Sequence, residues 1–277
     1  MSVSVRDAVL AACTFEVNAR KPGNVTSEPG LNNRQYRDYR QSALEVSSAL
    51  EHAGQEPLGN TILRAIESTQ RVVGHNTNLG IVLLLAPLAA VPMDEKLSEG
   101  VHDVIAKAGV EDAKQVYRAI RLARAAGLGQ VPEQDIAQEP TLPLQAVMRL
   151  AADRDMVARQ YVNYFSDVLD FGVPILTRRF AEQDSLEAAI IAVHLEFMAQ
   201  YPDSLIARKR GEAEAREAAR LAREALAYRE DPSKLARLDE WLRALGNQRN
   251  PGTSADLVTA TLFAAFREGT IAVTAKW

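Results

Sequence analysis

Residues 79–93 read Leu-Gly-Ile-Val-Leu-Leu-Leu-Ala-Pro-Leu-Ala-Ala-Val-Pro-Met, fifteen positions without a charge. A helix that is apolar on every side has no face to offer water, so it belongs in a membrane or in a protein core. Spanning a bilayer takes roughly 20 apolar residues. This run is shorter and is interrupted by Pro87, so it predicts a buried core helix. Elsewhere apolar residues recur at spacings of three and four, runs of alternating β-branched residues are almost absent, and aromatics make up only 6%. That pattern predicts an all-α protein. Helices are expected at 4–19, 38–53, 57–73, 78–91, 94–106, 110–126, 142–170, 184–200, 203–228, 232–245 and 252–268. They make one bundle-like domain of about eleven helices over residues 1–277, with an anion-binding cleft. Gly127 to Pro143 reads best as a linker, yet composition does not shift across it.

Bulk properties narrow the function. The 277 residues are 47% hydrophobic and 25% charged, an ordinary globular composition that needs no metal or disulfide to fold. Thirty-two Lys and Arg against thirty-six Asp and Glu leave a formal charge of −4, which excludes general attraction to nucleic acid or anionic membrane. Any anion must find a local basic patch. Cys13 is the one cysteine, and residues 1–17 lack a signal-peptide pattern, so a reducing cytoplasm is expected.

Local start signals support several helices. Asp231-Pro232 and Asn250-Pro251 each put a capping side chain before a proline at the first helical position. Asp184 with Glu187 resembles a capping box. Residues 212–227, rich in Ala, Glu and Arg, read most simply as an exposed helix with ion pairs along it, against a dedicated partner-binding helix.

Four polar segments are candidates for chemistry. In the first, Glu16 precedes Arg20-Lys21-Pro22-Gly23-Asn24, a turn able to hold a lysine and backbone N–H groups against phosphate. The same residues suit an ordinary helix C-terminus. In the second, Asn76-Thr77-Asn78-Leu79-Gly80 places amides before the apolar helix; Asn78 also suits an N-cap, and His75 a loop histidine. The third, Asp203 to Gly211, contains Arg208-Lys209-Arg210, cations about 100° apart on a helix that cannot share one salt-bridged stripe. A solvated charge run is its plain alternative. The fourth, Asn250-Pro251-Gly252-Thr253-Ser254-Ala255-Asp256, offers free N–H groups and small hydroxyls to a phosphate. Asp256 there suits the helix dipole or a Mg²⁺. No Walker sequence, Rossmann glycine pattern, zinc-protease motif or nucleophile elbow occurs.

In this order, and with Asp38-Tyr39 and Ser42-Ala43 between the first two, the segments resemble the triphosphoribosyl-dephospho-CoA synthase family over nearly the full chain. The resemblance implies an all-helical transferase in which the 2′-hydroxyl of dephospho-CoA attacks the anomeric carbon of ATP and expels adenine. It also implies Mg²⁺ with the ATP. Lys21, Arg208 and Lys209, together with Asn24, Thr253 and Ser254, become phosphate-binding candidates, and Gly23, Gly80, Gly211 and Gly252 permit close backbone approach. Asn76 and Asn78 become candidates for ribose or base contacts. Glu16 and Asp256 become candidates for base or metal ligand, with Asp203 a third catalytic carboxylate. The chain departs from the family where Asn78-Leu79 replaces a His-Lys pair, where Thr253 replaces a second glycine, and at Arg208-Lys209-Arg210-Gly211. Those departures keep open another acceptor, as in tetrahydromethanopterin-type cofactor pathways, and a non-catalytic nucleotide-binding or assembly protein. A homodimer fits a helical enzyme of this size.

Overall fold

The computed structural model describes residues 3–26, 33–125, 131–228, 230–275 and 277. Among them are fourteen α-helices and no strand. These are α1 (Val5–Asn18), α2 (Asn33–Leu50), α3 (Leu58–Val73), α4 (Leu79–Ala89), α5 (Leu97–Lys107), α6 (Val110–Ala123) and α7 (Leu144–Arg149). The remainder are α8 (Met156–Val162), α9 (Val173–Gln183), α10 (Leu186–Gln200), α11 (Ser204–Arg210), α12 (Glu212–Ala227), α13 (Pro232–Arg243) and α14 (Gly252–Arg267).

As its composition requires, α4 is buried along almost its whole length, with α2, α3, α5, α8 and α14 packed around it. Helix α14 is buried nearly as completely and packs on α1, α4, α9 and α10. A second apolar cluster, including Ile206, Leu221, Leu238 and Leu242, joins α11, α12 and α13 to the outer face of α10. Among the described residues no helix is long and apolar enough to cross a membrane.

Two expected long helices are divided. The 142–170 stretch becomes α7 and α8, because Asp155 turns its carboxylate onto the N–H groups of Val157 (2.8 Å) and Ala158 (3.3 Å) and starts a new helix. The chain then passes through left-handed Tyr164 and Phe165 into a π-helical turn at Asp167–Gly172 that runs on into α9, a helix absent from the expected set. Asp167 holds this crossing together, accepting from Gln160 (2.8 Å), Asn163 (2.7 Å), Arg159 (2.9 Å) and Tyr201 (2.8 Å). The 203–228 stretch breaks at Gly211, whose φ of 91° a side chain would resist. Asp231 caps α13 as expected, accepting from Ser233 N–H at 3.0 Å. Asp184, by contrast, ends α9 in the left-handed region, and Ser185 caps α10. Ion pairs along α12 join Arg216 to Glu212 and Arg220 to Glu217 and Glu224.

Pro87 lies inside α4 and has no N–H for the carbonyl of Leu83. That carbonyl is buried, and the fully buried Tyr161 of α8 donates its hydroxyl to it at 2.7 Å. The proline's missing donor is thus supplied from another helix. Tyr161→Phe should cost about 1–3 kcal/mol by denaturant unfolding. Adding Pro87→Ala, which restores the intrahelical donor, should recover part of that loss; equal losses in the two backgrounds would mean that the hydroxyl does not serve this carbonyl.

Candidate functional site

A cavity of about 500 Å³ opens where the N-termini of α4 and α14 meet α1, α2, α8 and α11. Of the residues expected from sequence, Glu16, Asn24, Asn76, Asn78, Gly80, Arg208, Lys209, Gly252, Thr253 and Asp256 line it. Lys21, Gly23, Asp203, Gly211 and Ser254 do not. Leu83, Ile120, Val147, Met148 and Val157 add apolar wall to it.

The deepest charges sit at its floor. Glu16, on α1, is 3% exposed, and the ammonium of Lys21 lies 3.0 Å from its Oε1. Lys21 is fully buried and donates to the carbonyls of Glu16 and Ala19. The lysine expected against phosphate is therefore the counter-ion of a carboxylate. Its ammonium is aligned on those carbonyls, so Oε1 touches a positive charge while receiving no directed hydrogen bond. Behind the pair, burial and then the charge of Lys21 push His194 down to about 3, which keeps that imidazole neutral.

Asp256, one turn into α14, faces the same floor. Its carboxyl is held well above the usual carboxylate range by burial, then by the charges of Glu16 and Asp203. A Cβ at position 80 would overlap the Asp256 carboxylate, so glycine there is what lets α4 and α14 close on each other. Asp203 is a strap. One of its oxygens caps α11 through Leu205 N–H (2.9 Å) and Ile206 N–H (3.0 Å), and the other takes Ser254 N–H and Oγ, both at 2.8 Å. Burial raises this carboxyl too. Asp203 and Ser254 thereby fix α11 to α14 behind the cavity.

Each asparagine has a local task. Asn76 Oδ1 accepts from Asn78 N–H (3.2 Å) and Leu79 N–H (3.1 Å), so it, and not Asn78, supplies the side chain that starts α4. Asn78 Nδ2 donates to Thr69 at 3.1 Å. Asn24 Oδ1 accepts from Val25 N–H, and Gly23 N–H donates to Asp239 with the glycine pressed on Leu242. Asn250 was expected to cap α14, yet the helix begins at Gly252 with no side-chain cap. Asn250 is instead 6% exposed on the cavity wall, with Oδ1 unpartnered.

Cations occupy one lip. Arg208 pairs with Asp155, its Nε making no hydrogen bond, and Lys209 reaches the carbonyl of Asn247 at 3.3 Å. Burial lowers the ammonium of Lys209. Sequence reasoning missed Tyr39, Arg124, Arg154 and Asp155, all on the wall. Asp155 was hidden inside an expected continuous helix, and Tyr39 was noticed only as part of a motif. Burial, with Asp256 and Glu16 nearby, pushes the Tyr39 phenol up, so it stays a donor. Under Glu16 a void of about 10 Å³ is bounded by Cys13, Tyr39, Ser42 and Val46.

Among the described residues the architecture is that of a helical protein with a deep cleft that carries cations and buried carboxylates, and the sequence holds no Walker or Rossmann glycine motif. The model of the CitG family, ATP:dephospho-CoA triphosphoribosyl transferase, matches residues 2–273, and the chain belongs to that family. It is a transferase of the triphosphoribosyl-dephospho-CoA synthase type. Among solved structures, one from Archaeoglobus fulgidus, described as a candidate triphosphoribosyl-dephospho-CoA synthase, is similar at 26% identity and a TM-score of 0.67. The similarity covers 83% of this chain and 99% of that one. No curated protein sequence matches the chain.

Two stability measurements test the floor. Lys21→Met should cost about 3–5 kcal/mol by leaving Glu16 buried and unpaired, and Lys21→Met with Glu16→Leu should cost less than Lys21→Met alone. The folded chain binds the Asp256 proton more tightly than the unfolded chain does, so this group's contribution to stability falls as pH rises from about 4. The Tm of Asp256→Asn should therefore gain on that of the unsubstituted protein between pH 4 and pH 8; a constant difference would place Asp256 in an unperturbed environment.

Proposed function

We propose that this cleft holds ATP and dephospho-CoA together and joins them through the two floor carboxylates. The acceptor's 2′-hydroxyl oxygen bonds to the anomeric carbon of ATP as the bond from that carbon to adenine breaks. The triphosphate stays on the ribose. One proton must leave the hydroxyl, and one must reach the departing base. Glu16, ion-paired with Lys21, is the anionic member of the pair and takes the first. Asp256, whose carboxyl burial holds well above the usual carboxylate range, supplies the second. The observation that carries this reading is the unequal setting of two carboxyl groups in one cavity, the arrangement that separates acid from base.

The triphosphate lies toward Arg208 and Lys209, where Arg154 adds a third cation. Mg²⁺ enters with it, as part of the substrate. Among the described residues no group of three or more metal-ligating side chains occurs, so an ion held by Glu16 or Asp256 would take its remaining ligands from phosphate and water. A cytoplasmic location suits both substrates.

Mixing protein, ATP, Mg²⁺ and dephospho-CoA should release adenine and add a triphosphoribosyl mass to the acceptor. Glu16→Gln should lower kcat by about 10²–10⁴-fold while ATP still binds. Full turnover in that variant would remove Glu16 as the base, and nucleotide binding without adenine release would point to a different acceptor.

A further inference from the structure

The two ends of the cavity differ in the kind of hydrogen-bonding group they leave open. On the lip the cations Arg208 and Lys209 present donors, and Arg208 Nε has no partner. At the floor, Glu16 Oε1 is an acceptor without a directed hydrogen bond, and Asn250 Oδ1 is an acceptor without a partner. Both residues are more than nine-tenths buried and both line the cavity. The floor also carries one hydroxyl, on Tyr39, which makes no hydrogen bond among the described residues. A phosphate oxygen is itself an acceptor, so it cannot satisfy an open acceptor there. A buried acceptor left open, as Asn250 Oδ1 is, calls for a ligand that donates.

We infer that the floor formed by Glu16, Asn250 and Tyr39 is a subsite for the vicinal hydroxyls of a ribose, and that the phosphates are confined to the Arg208–Lys209 lip. Sugar hydroxyls donate to Glu16 and Asn250 and accept from the Tyr39 phenol, so both kinds of open group are satisfied at once. This moves the segment around Gly252 and Thr253 from phosphate binding to sugar binding. It rests on the nucleotide reading above, and two riboses meet that description: that of ATP and that of dephospho-CoA.

Titration calorimetry in Mg²⁺ on the full chain separates the cases. Asn250→Ala and Tyr39→Phe should each bind the relevant nucleotide about tenfold more weakly. Inorganic tripolyphosphate should bind both variants as it binds the unsubstituted protein. Asn250→Asp, which keeps the acceptor and adds a charge, should retain nucleotide binding. If the loss falls on ATP, and 2′-deoxy-ATP or 3′-deoxy-ATP is equally weak with the unsubstituted protein, the donor's ribose is the occupant. If it falls on dephospho-CoA, with 4′-phosphopantetheine unaffected, the acceptor's ribose is. Tripolyphosphate binding that weakens in step with nucleotide binding would overturn the inference, as would unchanged binding of every nucleotide. An absence of adenine release from the unsubstituted protein would sink the reaction and leave the subsite standing.

Discussion

A helix with no polar side must be covered on every side, and α4 imposes that requirement on the whole chain. Ten of its residues are buried, so five other helices close around it. Burial on that scale leaves no water to satisfy a stray backbone group. The carbonyl released by Pro87 must then find its donor on another helix, and Tyr161 supplies it. At Gly80 the Asp256 side chain of α14 stands where a side chain would have been. The cavity lies where these two apolar helices begin, the place at which polar residues can return to the interior.

The floor and the lip of that cavity solve different electrostatic problems. Charges on the lip retain water and solvent-facing partners, as Arg208 does with Asp155. Glu16 at the floor is neutralised by Lys21, Asp203 behind it is saturated by four hydrogen bonds, and the Asp256 carboxyl is held well above the usual carboxylate range. Three carboxyl groups close together are tolerable because each is accommodated in its own way.

Helical class and the central role of residues 79–93 were legible because composition alone carries them. Ten of the fifteen residues tied to chemistry by sequence do line the cavity. What failed was the assignment of neighbours. Arg20 and Lys21 are adjacent cations, yet Arg20 lies on the surface against Glu187 while Lys21 is fully buried. Spacing along a chain carries no information about which of two adjacent side chains turns inward. The cap expected at Asp184 was displaced for a related reason, since Ser185 beside it serves, whereas α14 starts with no side-chain cap at all. Asp155 was invisible because its cap marks a break inside a stretch whose apolar spacing reads as one helix, and its pair with Arg208 forms only in the folded chain.

Cys13 lies under the floor, 6% exposed, where burial followed by the charges of Glu16 and Asp256 pushes its thiol up and suppresses the reactive thiolate. It is also the chain's one sulfhydryl. A thiol-specific reagent therefore meets nothing to modify until α1 lifts away from α2 and α14, and the labelling rate is then a clock for that opening. A ligand that ties the helices together would slow the clock, so occupancy could be followed without any substrate being turned over.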